Sequence, residues 1–234
     1  MQYAVLGLGR FGSKLATSLF SRGGEVLAVD SDSDAVERIK DHVSHVAIAD
    51  VTDELALRSL GLQDMDVAVV AIGEMIETSI LATALLKRLG VRRILSRAVN
   101  KSQAQILTEV GATEVFSLED QMGEQIASRL IAPHILESIT LSSGHSLVEI
   151  LPLKSFIGKT LKELNLRAKA GINVIAIKRK VPSINERGEN TIKVVLNDLP
   201  SPDEKITDDD ILVVVGQDER ISALSRSFEE EEQI

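Results

Sequence analysis

The sequence has no cysteine and no tryptophan, and its aromatic residues are one tyrosine and five phenylalanines, 3% of the chain. Without cysteine there is no disulfide, no Cys-ligated zinc and no thiol nucleophile, which fits a reducing compartment. With so few aromatics the core must be aliphatic, and stacking platforms for single-stranded nucleic acid are nearly absent. Positive charge is also scarce. Twenty-six Lys and Arg face 35 Asp and Glu, a net charge of −9 and the wrong sign for a phosphate-backbone binder, so no nucleic-acid partner is expected. No apolar run reaches the 18 residues that a spanning helix needs, so the chain is not expected to cross a membrane itself. Met1 runs almost at once into an apolar strand, with no basic or long apolar leader region, and no secretory leader is read there. What is present is 234 residues, 44% apolar and 26% charged, enough for one large or two modest aliphatic cores.

Residues 1–133 read as alternating strands and helices. Apolar runs at Tyr3–Leu6, Val26–Val29, His45–Ala49, Val67–Ile72, Arg93–Ser96 and Glu114–Phe116 are separated by helical spacings such as Phe11–Phe20, Ser31–Asp41 and Asp53–Leu60. Continuous rather than alternating apolar strands mark a parallel sheet covered on both faces, so the expected fold is α/β, a Rossmann-like doubly wound sheet. The pattern changes near Pro133. Glu137–Leu141, Leu147–Leu151, Ile172–Lys178 and Ile211–Val215 read as strands, and Lys159–Ala170 as one or two short helices. Between these, Val181–Lys205 holds three of the five prolines and reads as a hairpin or a long loop. Residues 134–226 are therefore expected to form a small α+β domain, and residues 227–234 a solvated, unstructured acidic tail.

The sharpest motif is Gly7-Leu8-Gly9-Arg10-Phe11-Gly12. Alone, GxGxxG is weak. Here it follows a strand, opens a helix and precedes Asp30-Ser31 at the end of the next strand, as a dinucleotide fingerprint requires. Gly7 permits the tight turn, Gly9 admits a phosphate to the backbone, and Gly12 lets the helix approach the sheet. The helix N-terminus offers free N–H groups and the positive end of its dipole. Asp30 suits ribose hydroxyls and disfavours a 2′-phosphate. The alternative is a purely structural glycine turn. Arg10 is either a polyphosphate clamp or a solvated surface residue. Asp50, in Ala49-Asp50-Val51-Thr52, either meets an adenine amino group or caps the following helix. Ala71-Ile72-Gly73 and Arg97 end strands four and five, where ligand crevices open.

Catalytic groupings are missing by comparison. His42 and His45 lead into a strand, away from the crevice; His134 follows Pro133, and His145 sits in a Ser-Ser-Gly-His turn. None is arranged with a nucleophile or an orienting acid, and no HExxH, Walker A or Gly-x-Ser-x-Gly pattern occurs. Binding without turnover is the simpler expectation.

At this point the chain resembles the RCK (TrkA-N/TrkA-C) domain family, the cytosolic regulatory subunits of Ktr- and Trk-type bacterial potassium uptake systems. Gly7 to Gly12, Asp30, Ala49 to Thr52 and Ala71 to Gly73 carry the likeness in the first domain. Phe156 to Leu161, Leu164 to Arg167, Val174 to Arg179 and Asp209 to Leu212 carry it in the second. The resemblance implies a gating subunit rather than an enzyme. It implies an octameric ring of dimers lying in the cytoplasm beneath a membrane potassium pore subunit, peripheral to the inner face of the membrane. Its ligand would be ATP or ADP, or NAD or NADH. Carried over, Arg10 and Arg97 would meet terminal phosphates, Asp30 the ribose and Asp50 the adenine. Many members have lysine at the Arg97 position. Glu119 matches an acid that helps hold a divalent cation, Mg²⁺ or Ca²⁺ by the preference of carboxylate and phosphate oxygens; otherwise it is a first-turn helix acid. Leu161, Leu166, Arg167, Ile172 and Asn173 match a cyclic di-AMP site of some relatives, or else an ordinary apolar dimer interface. Ser183–Asn197 is longer than the family has there. The competing reading is an NAD(H)-binding redox regulator or a small NAD-dependent oxidoreductase.

Overall fold

A computed structural model describes residues 1–141, 144–184 and 190–232. The chain divides into two units, Met1–Gly123 and Glu124–Ile234. The sequence reading placed its boundary at Pro133, where the composition changes.

The first unit alternates β1 (Gln2–Leu6), α1 (Arg10–Ser21), β2 (Glu25–Asp30), α2 (Ser33–Ile39), β3 (His45–Ile48), α3 (Glu54–Ser59), β4 (Val67–Val70), α4 (Ile76–Leu89), β5 (Arg93–Arg97), α5 (Lys101–Val110) and β6 (Glu114–Phe116), and α6 (Leu118–Ile131) follows. All strands pair parallel in the order β3-β2-β1-β4-β5-β6, the strand order of a Rossmann sheet. Burial explains the continuous apolar runs. Along β1 and β2, Val5, Val26 and Ala28 point to one face, where Ala16 of α1 and Ala35, Val36 and Ile39 of α2 cover them. Ala4, Leu6, Leu27 and Val29 point to the other, under Leu57 of α3 and Ala82 and Leu86 of α4. With both faces dry, every position must be apolar. Fully buried side chains such as Leu86 and Ile94 contribute about 1.5–3 kcal/mol each. Tyr3, the single tyrosine, packs beside this layer against Gly24, where an added Cβ would stand 3.0 Å from its ring.

The second unit holds β7 (Ile135–Leu141), β8 (His145–Ile150), α7 (Leu161–Leu164), α8 (Leu166–Lys169), β9 (Ile172–Ile184), β10 (Asn190–Asn197), β11 (Asp210–Gln217) and α9 (Asp218–Glu232). Its strands form one antiparallel sheet in the order β10-β9-β11-β8-β7. Val148, Ile150, Ile172, Ile177, Leu212 and Val214 form the inner face, covered by Leu164, Leu166, Ile221 and Leu224 from the helices. Of the hairpin and long-loop readings for Val181–Lys205, the hairpin holds: β9 and β10 pair antiparallel from Ile177↔Asn197 to Ile184↔Asn190. The expected long segment Ser183–Asn197 lies partly in this hairpin, and residues 185–189 fall outside the described residues. So do Ser142 and Ser143 of the turn before His145. Pro182 is tolerated because β9 pairs β11 only as far as Arg179, leaving its later residues on a sheet edge. Of residues 227–234, read as an unstructured acidic tail, those up to Glu232 are instead the end of α9, and residues 233 and 234 fall outside the described residues. Glutamate is a good helix former, and no Gly or Pro interrupts the run. Among the described residues, no helix is long and apolar enough to cross a membrane.

Asp210 is fully buried and is the unit's main polar anchor. Its carboxylate accepts from Arg179 Nε at 2.6 Å, from Arg179 Nη2 at 2.8 Å and from the Thr207 N–H at 2.8 Å. Burial pushes this carboxyl up, but the bonds from Arg179 and Thr207 outweigh it and the net shift is downward.

Candidate functional site

The carboxyl ends of β1 to β5 open into a cleft of about 920 Å³, a size suited to a nucleotide-sized ligand. The glycine turn forms its centre. Gly7 has φ +93°, in the left-handed region, and its N–H donates to Val29 O at 2.8 Å. A Cβ on Gly12 would lie 1.8 Å from Gly7 O, so α1 can approach the turn only through a glycine. Around a Cβ on Gly9 there is nothing within 4 Å. Gly9 is also the N-cap of α1 and supplies no side chain to the first turn. The first turn of α1 is therefore left without a side-chain cap beside the open space at Gly9, with the positive end of the helix dipole behind it.

Asp30 anchors the turn. Its Oδ2 accepts from the Leu8 N–H at 2.5 Å and its Oδ1 from the Asp32 N–H at 2.9 Å. At the outer edge, Asp50 Oδ1 accepts from the Thr52 N–H at 2.9 Å and from Thr52 Oγ1 at 2.7 Å. These bonds hold its carboxyl below the usual range. Asp50 does not cap α3; Asp53 does, accepting from the Leu55 and Ala56 N–H groups at 2.9 and 3.2 Å. The capping alternative for Asp50 is thereby removed.

At the other end, Arg97 crosses over Gly73, where an added Cβ would stand 2.7 Å from Arg97 Nη1. Arg97 Nη2 donates to Glu119 Oε1 at 2.6 Å, while its Nε is buried without a hydrogen-bond partner. An orphaned donor beside a cleft suits an anionic ligand atom. The Glu119 carboxyl is held below the usual range first by its own backbone N–H and then by Arg97. Arg10 has neither a hydrogen bond nor an ion pair among the described residues.

The cleft thus gathers Gly7, Leu8, Gly9, Arg10, Phe11, Asp30, Ser31, Asp50, Val51, Ala71, Ile72, Gly73 and Arg97. Gly12 packs behind the turn, and Glu119, next in the chain to the lining residue Leu118, accepts from the lining Arg97. Sequence reasoning passed over Arg38 of α2 and Glu74, Met75 and Thr78 after β4, which also line the cleft. The last three follow Gly73 at a strand's carboxyl end, a position that could have flagged them. No histidine is among the lining residues. His45 stands at the start of β3, 3.9 Å from the Glu25 carboxylate, and His134 bonds Ser225 Oγ at 2.8 Å and stacks on Phe228. Among the described residues no cluster of three or more acids and histidines could hold a metal without help from a ligand.

In the second unit a smaller hollow of about 410 Å³ brings together Leu161, Leu166, Arg167, Ile172 and Asn173, with Pro200 and Pro202 along one side. Asn165, at φ +47°, turns the chain between α7 and α8 and so directs Leu166 and Arg167 here. Thr160 and Glu163 form a capping box that fixes α7.

Known proteins share both units. Residues 3–118 match the TrkA-N domain and residues 146–194 the TrkA-C domain. The chain is 40% identical over 225 residues, 96% of each chain, to Ktr system potassium uptake protein C of Bacillus subtilis (strain 168). It belongs to the Ktr potassium uptake protein family. A second Ktr relative, potassium uptake protein A of the same organism, is 36% identical over 92% of this chain and 91% of its own. Among solved structures the GsuK channel superposes with TM-score 0.65 over 95% of this chain and 38% of the channel, at 20% identity, a likeness of fold. The same channel has been solved bound to NAD, with TM-score 0.60 at 19% identity over 95% of this chain and 38% of the channel. The Ktr family assignment and the RCK-type fold agree with the sequence resemblance.

Proposed function

We propose that this Ktr family chain is the nucleotide-binding gating subunit of a membrane potassium channel or transporter, and that it regulates ion flow without catalysing a reaction. The observation that carries this is the cleft itself: a glycine turn with an open helix N-terminus, flanked by an unpaired arginine on one side and an orphaned arginine nitrogen on the other. A nucleoside polyphosphate fits that donor set. The helix N-terminus and Arg10 would hold its phosphates, Arg97 its terminal phosphate end, Asp30 its ribose and Asp50 the amino group of an adenine. ATP and ADP suit two arginines at the phosphate end better than NAD does, since a terminal phosphate carries more charge to pair. Glu119 would share a Mg²⁺ or Ca²⁺ with phosphate oxygens once Arg97 turns toward the ligand. The second hollow, with Arg167 and Asn173 at its rim, suits cyclic di-AMP as a further effector.

The protein would act in the cytoplasm at the inner face of the membrane, as a ring of dimers, eight chains in all, against a pore subunit. A ligand gates only if it binds one ring state better than the other. Arg10, Arg97 and a cation at Glu119 give the γ-phosphate partners that ADP lacks, so ATP and ADP would favour different ring shapes. The expected result of calorimetric titration is adenine-nucleotide binding without turnover, with a Mg²⁺ or Ca²⁺ effect confined to ATP. Arg10→Ala should bring the ATP and ADP affinities together. An undiminished ATP preference in that variant would remove Arg10 from the mechanism, and binding of NADH alone would favour the redox-regulator reading.

A further inference from the structure

We infer that Arg38 covers the base: its guanidinium lies over the face of the purine of a bound adenine nucleotide while Asp50 reads the edge. The inference rests on the nucleotide reading above and adds to it a residue that the fingerprint does not contain. Arg38 lines the cleft with Ala35, Asp30, Asp32, Asp50 and Val51, at the end formed by β2 and β3. That end is the nucleoside end. Arg97 sits on β5, three strands away from β2 across β1 and β4, about 14 Å at ~4.8 Å per strand, which puts Arg97 toward the other end of the cleft.

Three observations favour stacking over the other tasks of an arginine. First, Arg38 is not a counter-ion: among the described residues it makes no hydrogen bond or ion pair. The nearby carboxylates are already bonded to N–H groups, Asp30 to those of Leu8 and Asp32, Asp32 to that of Asp34 and Asp50 to that of Thr52. Second, it is not placed for a 2′-phosphate, because three carboxylates surround that position and would repel a further anion. Third, a purine needs a flat partner, and the lining holds one aromatic residue, Phe11, at the start of α1 on the phosphate side. In a chain this poor in aromatics the planar guanidinium is the available substitute. Ala35, one turn before Arg38 on the same helical face, also lines the cleft and is too small to compete for it.

The test is calorimetric titration of the full chain with adenosine, AMP, ADP, ATP and NADP⁺, comparing wild type, Arg38→Ala and Arg38→Tyr. Unliganded thermal midpoints serve as the folding control. The expected result is a loss of about 2- to 30-fold in Arg38→Ala, of the same factor for adenosine as for ATP. Arg38→Tyr, flat but uncharged, should recover adenosine affinity. A loss that grows from adenosine to ATP, a loss confined to NADP⁺, an unchanged adenosine affinity, or a tyrosine variant no better than alanine overturns the inference. Failure of the wild type to bind any of these ligands would overturn the nucleotide reading itself, and this inference with it.

Discussion

Gly9 and Gly12 occupy one turn but answer to different constraints, and substitution separates them. A methyl on Gly12 meets a backbone oxygen at 1.8 Å, in a turn already fixed by the left-handed Gly7. Gly12→Ala should cost about 3 kcal/mol or more and abolish nucleotide binding with it. A methyl on Gly9 meets nothing of the protein, so Gly9→Ala should unfold within about 0.5 kcal/mol of wild type. It should nevertheless bind nucleotide at least tenfold more weakly if phosphate approaches that backbone. Denaturant unfolding and titration on the same preparations decide it; wild-type affinity in Gly9→Ala would leave the turn a purely structural role. At this scale the site was legible wherever a residue's job is local. The glycines and Asp30 announce themselves by strand, turn and helix in sequence. Arg38 did not, because its direction depends on the phase of a seven-residue helix. The Gly73–Arg97 crossing did not either, because it joins the end of β5 to a residue far away in sequence, just past the neighbouring β4.

At the level of elements, the assignment of Asp53 rather than Asp50 as the cap of α3 gives a paired expectation. Asp53→Ala removes two bonds to helix N–H groups and should lower stability by about 1 kcal/mol. Asp50→Ala should leave α3 intact, and its effect should appear in ligand affinity; equal destabilisation by the two would mean that both acids support the helix. The six parallel strands were legible because a sheet dry on both faces tolerates little but aliphatic residues. The second unit was harder to read. β10 is exposed on both faces, so no burial pattern marks it, and Pro182 suggested a loop where β9 in fact continues along an edge. In α9, charge density suggested disorder, while helix propensity and the apolar Ile221 and Leu224 facing the core prevailed.

For the whole molecule, two separate cores imply two separable responses to acid. Asp210 is ionised in the folded second unit with a depressed pKa, so its contribution is complete above the ordinary carboxylate pKa of about 4 and is lost as pH falls through the folded value. Asp210→Asn should lower stability at neutral pH by about 2–4 kcal/mol, because the Arg179 guanidinium loses its buried partner. The gap from wild type should narrow toward pH 2, as followed by circular dichroism. A gap independent of pH would show that the hydrogen-bond geometry, not the charge, matters. The position of Tyr3 makes the division directly observable. It is the single tyrosine in a chain without tryptophan and packs, partly buried, against a core of the first unit, so intrinsic fluorescence follows that unit while the second remains optically silent. A fluorescence transition that departs from the dichroism curve would therefore identify which half of the protein melts first, without any label.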